Sequence, residues 1–175
     1  DLFVLGKPIA GGVPASAWGF TDAVASAWDR IRAEKPPGHS GLGTTLSANA
    51  LAMAAMHATL AEVMTPSAYA HMDSQAARIA TALGAVIAKR ALPWHVTRVG
   101  ARVEFIFCER PLRNGSEAAA AAEPELEQAI HLGLLNRGCL ITPFHNMMLA
   151  CPVTLPEQVD RLVTAFDDVT QALAA

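Results

Sequence analysis

The hydrophobic period of this chain changes abruptly at Trp94, and that switch limits the folds open to it. Upstream, Thr65-Pro66 opens a helical pattern in which Met72, Ala76, Ile79, Leu83, Val86 and Ile87 share one side. Pro66 suits a first helical position, and the pattern should end near Lys89-Arg90, before Pro93. Downstream, His95–Val99 and Arg102–Phe107 follow period two around Gly100, the mark of two paired strands. One alanine-rich helix is expected over about Glu117–Asn136, stopped by Gly138. Cys139–Thr142 and Met147–Cys151 read as short strands flanking Pro143-Phe144-His145-Asn146. Thr154-Leu155-Pro156-Glu157 has capping-box spacing ahead of a last helix with Val159, Leu162, Val163, Phe166, Val169 and Leu173 on one face. Helices with one apolar face must cover a sheet, so this region reads as an α+β domain with helices on one face of a short antiparallel sheet.

The first third follows a different plan. Residues 2–5 read as a short buried strand, Gly11, Gly12 and Pro14 as a turn, and residues 15–20 as a second strand. Thr21-Asp22 can cap a helix to about Arg32, and a Pro/Gly-rich loop covers residues 34–43. The Ala/Met/Leu segment from about Ser47 to Met64 is apolar nearly all round, so it should be a helix buried on most sides. The expected fold class is α/β: residues 1–70 as the end of a larger domain, residues 71–175 as a smaller α+β domain. With 175 residues the chain has room for one domain or parts of two. Asp1 lacks a preceding methionine and opens on a core-like strand, which suggests a piece of a longer polypeptide.

Composition narrows the function. A 52% hydrophobic and 17% charged chain suits a well-buried, oligomeric protein. A formal charge of −3, with its 13 basic residues scattered, gives no case for nucleic acid or a polybasic membrane patch. No apolar run reaches membrane-spanning length. Cys108, Cys139 and Cys151 lack metal-ligand spacing and are odd in number, which points to thiols in a reducing, cytoplasmic setting and to no metal site.

Lys7 is the residue with the most chemical meaning. It ends the apolar run Leu2-Phe3-Val4-Leu5-Gly6 and is followed by Pro8-Ile9-Ala10-Gly11-Gly12. A lysine in an apolar site loses hydration, its charged form is disfavoured, and a neutral amine attacks an aldehyde to form a Schiff base. Pyridoxal phosphate is the cofactor that exploits this chemistry. The competing reading is a strand-end lysine whose stem lies on the core and whose head reaches water.

Two separated segments carry a family resemblance. Leu5-Gly6-Lys7-Pro8-Ile9-Ala10-Gly11-Gly12-Val13-Pro14 resembles the lysine motif of class III aminotransferases, the fold-type I pyridoxal phosphate enzymes. Gly43-Thr44-Thr45-Leu46-Ser47-Ala48-Asn49-Ala50-Leu51-Ala52 resembles that family's second motif, a Gly-Thr segment opening a long helix. Thr97-Arg98-Val99-Gly100, Arg113-Asn114 and Arg137-Gly138 are similar to the branch containing glutamate semialdehyde aminomutase. The resemblance implies the C-terminal portion of such an enzyme, lacking the half that stacks on the pyridine ring and pairs with its nitrogen.

The resemblance also implies roles. Lys7 would hold pyridoxal 5'-phosphate as a Schiff base and shuttle the proton. Thr45, with Thr44 as the adjacent alternative, would bind the cofactor phosphate across a homodimer interface with a shared active site. A helix start suits a phosphate, although Thr44, Thr45 or Ser47 could simply cap that helix. Ala10, Ser16 and Phe20 replace glycines usual in the aminomutase branch. Phe144, His145 and Met147 would lie on a substrate-facing loop, Met147 standing where the aminomutase carries a glutamate. That replacement favours an apolar or aromatic substrate; the alternative is that Phe144, Met147 and Met148 are ordinary core and His145 structural. Any of Arg98, Arg102, Arg110 and Arg113 could pair with a substrate carboxylate. The implied reaction moves an amino group between an amino acid or amine and a keto acid. Glutamate semialdehyde 2,1-aminomutase is the alternative, and a non-catalytic assembly module is the alternative of another class.

Overall fold

The computed structural model describes residues 1–173 apart from Ser40 and Thr44. The chain divides into two compact units, Asp1–Thr65 and Pro66–Ala175.

In the first unit, β1 (Leu2–Leu5) pairs antiparallel with β2 (Ala17–Phe20), in a register that places Leu2 opposite Phe20 and Leu5 opposite Ala17. Between them a 3-10 turn spans Lys7–Ala10. Helix α1 (Asp22–Ala33) follows, then α2 (Ala50–Ala58), which runs on into a π-helical turn at Thr59–Val63. Two expectations fail here. Strand β1 is exposed along its whole length, with Leu2 and Val4 at 70% and 71%, because none of the described residues of this unit covers its faces. Helix α2 starts three residues later than expected and buries only Ala52, so its apolar circumference is largely on the surface. Capping sets its start. Asn49 Oδ1 accepts from the Ala52 N–H at 2.9 Å, which assigns the cap to Asn49 rather than to Thr45 or Ser47.

The second unit is helices on a three-stranded antiparallel sheet, in the order β3 (His95–Val99), β4 (Arg102–Ile106), β5 (Met147–Leu149). Period two does its expected work in β4. Val103 and Phe105 are buried, while Arg102 and Glu104 occupy the outer face and pair with each other. The inner face is covered by α3 (Pro66–Lys89) and α6 (Pro156–Leu173), with α5 (Pro124–Leu135) packed on α6. Phe105 and Phe166 meet at 4.9 Å between ring centroids, and Trp94 stacks on Phe105 at 5.9 Å.

Three details differ from expectation. The single helix expected over 117–136 is two, α4 (Gly115–Ala120) and α5, because Pro124 lacks an N–H to continue the first and suits the first turn of the second. Residues 139–142 form no strand, since after the left-handed Gly138 only Thr142 bonds across, its N–H donating to the Met147 carbonyl at 3.1 Å. The expected capping box shifts by one residue. Gln158 Oε1 accepts from the Leu155 N–H at 2.8 Å, and Thr154 turns back to Cys151 instead.

Ion pairs strap α3 to α6: Arg78 to Asp160 at 2.6 Å, and both Lys89 (2.6 Å) and Arg90 (2.7 Å) to Asp167. Hydrogen bonds from Lys89, then Arg90, hold the Asp167 carboxyl below the usual carboxylate range. Its contribution to stability is therefore full above the titration of an unfolded aspartate, about pH 4, and is lost as acid titrates the folded group. Asp167→Asn should melt lower than wild type at neutral pH, and the gap between the two should close as the pH falls below about 4. Paired thermal melts across that range check it. Close helix packing gives a second outcome. A Cβ on Gly133 would lie 2.9 Å from Val169 Cγ2. Gly133→Ala should cost about 1–3 kcal/mol by overpacking, read as a lower denaturation midpoint.

Candidate functional site

Lys7 stands where β1 ends and the 3-10 turn begins. Its backbone has φ 40°, a left-handed conformation that costs a non-glycine residue about 1–3 kcal/mol and persists only where neighbours impose it. The imposing contacts are visible. Ile9 and Ala10, just beyond it, are 3% and 2% exposed and pack on α2. Gly11 closes the turn at φ 60°, its N–H donating to the Pro8 carbonyl at 3.2 Å. The Lys7 side chain is exposed, and among the described residues it has no hydrogen-bond or ion-pair partner. The apolar enclosure expected around it is thus not provided by this unit.

Thr45 lies in the turn of residues 45–48 that precedes α2, and it too is exposed. With Asn49 serving as the cap, the Thr45 hydroxyl has no part in starting the helix. Ala48 holds φ 54° within this turn, and Asn49 Nδ2 donates back to the Leu46 carbonyl at 3.2 Å. Thr44, the alternative, lies outside the described residues. No hydrogen bond joins Lys7 to Thr45 among the described residues.

Phe144, His145 and Met147 belong to the second unit, where a tight turn brings them together. His145 (φ 62°) and Asn146 (φ 44°) are consecutive left-handed residues, the pattern of a hairpin turn that normally uses Asn-Gly. Thr142 Oγ1 lies 2.7 Å from the Phe144 carbonyl and 3.1 Å from that of Met147, tying the turn from inside. Phe144 is exposed and meets the His145 ring edge-on at 5.2 Å. Met147 is half-buried on the outer sheet face, opposite Glu104, whereas Met148 is core at 5%. The core reading therefore holds for Met148 alone.

Three of the four candidate arginines already have carboxylate partners: Arg98 on Asp73 at 2.6 Å, Arg102 on Glu104, and Arg113 on Glu117. The Arg113 side chain, then its backbone N–H, holds the Glu117 carboxyl below its usual range. His71 is structural, its Nε2 lying 2.9 Å from the Thr154 carbonyl. Sequence reading missed the π-helical turn at Thr59, where the Met64 N–H donates to the Thr59 carbonyl at 2.9 Å. Nothing in the composition of Thr59–Val63 distinguishes it from ordinary helix. Among the described residues no three His, Cys, Asp or Glu side chains converge as a metal site would require, and no helix is long and apolar enough to cross a membrane.

The sequence model of the family described as aminotransferase class III matches residues 1–173. This chain belongs to the class III aminotransferases. A relative in Brevibacillus brevis, glutamate-1-semialdehyde 2,1-aminomutase 2, is 34% identical over 167 residues, spanning 94% of this chain and 37% of the relative. A glutamate-1-semialdehyde aminomutase from Pseudomonas aeruginosa PAO1, solved in complex with PMP, superposes with a TM-score of 0.93 at 46% identity, over 99% of this chain and 39% of that one. The β-phenylalanine aminotransferase of Variovorax paradoxus superposes with a TM-score of 0.83 at 29% identity, again over 99% and 39%. The mixed helix-and-sheet architecture is that of the fold-type I enzymes. The class III chain thus spans under two fifths of the length of these relatives.

Its cysteines differ in reactivity for local reasons. Cys151 is exposed, and the hydroxyl of Thr154, 3.4 Å from its sulfur, is the main influence drawing its thiol below the ordinary value. Burial pushes the Cys139 thiol up. Iodoacetamide near neutral pH should therefore label Cys151 before Cys139, and Thr154→Val should slow labelling at Cys151 alone; peptide mass mapping over time checks both.

Proposed function

We propose that this chain carries the catalytic lysine of a pyridoxal phosphate-dependent enzyme that transfers amino groups, and that Lys7 is that lysine. The observation carrying the reading is Lys7 itself: an accessible amine with no partner among the described residues, on a backbone held at φ 40°. The family is a pyridoxal phosphate family. The residues present fit that group, since the accessible Lys7 amine can meet its aldehyde and the exposed Thr45 hydroxyl before α2 suits its phosphate. When bound, the cofactor supplies an electrophilic aldehyde and a ring that accepts electrons from the substrate carbon. Lys7 Nζ would hold the group through that aldehyde until an incoming amine takes its place. Freed in that way, Nζ would take the proton from the amine-bearing carbon of the substrate and deliver it to the former aldehyde carbon of the cofactor, across the nitrogen that joins the two. Thr45 Oγ1 would donate to the phosphate from a neighbouring subunit. That arrangement makes the functional unit a homodimer. The exposed apolar side chains Leu46, Leu51 and Leu60 around α2 support such an interface.

The favoured substrate is an apolar or aromatic α- or β-amino acid or amine, with a keto acid as acceptor. Support comes from the turn at Thr142–Met147, which presents Phe144 and His145 and carries no carboxylate. The aminomutase reading rests on a specific observation of its own, the names of the relatives from Brevibacillus brevis and Pseudomonas aeruginosa. On either reading the first unit is the end of the cofactor-binding domain and the second the smaller domain. The unpaired thiols suit a cytoplasmic setting.

Borohydride reduction of the full-length protein with pyridoxal phosphate should leave the cofactor's mass on the Lys7 peptide. Lys7→Ala should lose that adduct and roughly 10³-fold or more of the turnover, the scale of a lost acid–base and covalent residue. An adduct on another lysine would sink the assignment. Turnover of an aromatic amino acid with a keto acid separates the two readings, since an enzyme that converts only glutamate semialdehyde is the aminomutase.

A further inference from the structure

The first unit has a small interior, and that interior sits directly behind Lys7. Its buried apolar residues are Ile9, Ala10 and Ala52, which belong to the 3-10 turn and to α2. The next contact along is between Gly11 and Thr59. A Cβ on Gly11 would stand 3.1 Å from Thr59 Oγ1, so the hydroxyl faces the bare side of the residue that closes the turn. Thr59 is also where the helix changes from α to π. Its carbonyl accepts from the Met64 N–H five residues on, at 2.9 Å. Single π-turns are rare in helices and concentrate at functional sites. The left-handed Lys7 has to be imposed by its surroundings, and the 3-10 turn that holds it contacts both α2 and the π-helical turn that Thr59 opens.

We infer that Thr59, at the head of the π-helical turn, is a positioning residue for Lys7. Its side chain bears on the backbone of Gly11 and fixes the 3-10 turn that sets where the Lys7 amine points. The inference rests on the reading of Lys7 as the cofactor lysine. Thr59→Val keeps the branched shape and leaves the turn in place. Thr59→Ala removes the abutment and lets the turn relax. Gly11→Ala presses on Thr59, and that part of its defect is relieved when Thr59 is shortened as well.

The test uses the full-length protein loaded with pyridoxal phosphate. Three quantities are read: the pH midpoint of the bound cofactor's visible absorbance, the dissociation constant for the cofactor, and the melting temperature. Thr59→Ala should move the spectral midpoint by about half a pH unit or more, as expected when a strained, preorganised lysine relaxes, and Thr59→Val should restore the wild-type midpoint. Gly11→Ala should weaken cofactor binding, and adding Thr59→Ala should recover about fivefold, the coupling of residues in contact. A fall in melting temperature with an unmoved midpoint overturns the inference, as does a double variant that equals the product of the singles. Borohydride trapping on wild type keeps the two claims apart. If wild type traps at Lys7 while Thr59→Ala leaves the midpoint unmoved, the positioning role alone fails. If wild type does not trap at Lys7, the cofactor assignment fails and takes this inference with it.

Discussion

The contact between the 3-10 turn and helix α2 is the interaction on which the proposed chemistry depends. Ile9 and Ala10 of the turn and Ala52 of α2 are the buried apolar residues of the first unit, where the two elements pack together. These are small groups, and each buried methylene contributes only about 0.8 kcal/mol. The cost they offset is also small, one left-handed residue at Lys7. What the arrangement achieves is direction. With the turn pinned from behind, the Lys7 side chain leaves it outward as an accessible amine. A lysine in a regular strand would instead alternate with its neighbours, its orientation set by the pleat. The Gly6-Lys7-Pro8 sequence breaks that alternation. Pro8 supplies no N–H and fixes its own φ, and Gly6 leaves the extended region at φ −147°, ψ −146°.

The sequence revealed most where a periodic pattern met its partner within the same unit. Helices α3 and α6 and strand β4 find their partners in one another, so most of the expected face positions are the buried ones, down to Phe105 inward and Arg102 outward. The same reasoning failed in the first unit. The apolar strand Leu2–Leu5 and the apolar helix Ala50–Ala58 were expected to be buried, yet most of their side chains are exposed. Hydrophobicity records that a surface needs covering and is silent on what covers it. The remaining misses have local causes. Pro124 splits a helix that alanine propensity alone would continue, and Asn49 outcompetes nearby Thr and Ser as a cap.

The candidate site residues separated in the sequence in proportion to how much of their proposed role is covalent chemistry. Lys7 stands out because few uses of lysine require that sequence around it. The arginines did not separate in the sequence, since any of them can pair with a carboxylate. The structure separates them by showing which carboxylates are already at hand. Arg98 is held by Asp73, Arg102 by Glu104 and Arg113 by Glu117, all within the second unit. An arginine so engaged must break one pair to form another, and all three existing pairs are partly exposed and individually weak. These three therefore read first as parts of the fold's surface, and any role toward substrate would have to compete with that.

The turn at Phe144–Met147 presents the opposite balance. Two successive left-handed residues that are not glycine, His145 and Asn146, carry strain of about 1–3 kcal/mol each. Gly-containing hairpins reach the same geometry without it. A turn that only had to reverse the chain would gain stability from Asn-Gly at these positions. Keeping side chains there puts the imidazole of His145 edge-on to Phe144 at the tip, while Asn146 is buried beneath. Thr142 then holds the strained form closed through the carbonyls of Phe144 and Met147. Conformational strain retained at the cost of stability is expected where the displayed side chains matter more than the turn. On the proposed reading, the aromatic ring and imidazole displayed at this tip would meet an apolar or aromatic part of the substrate. That display is what makes aromatic amino acids a substrate class to test beside glutamate semialdehyde under the proposed reading.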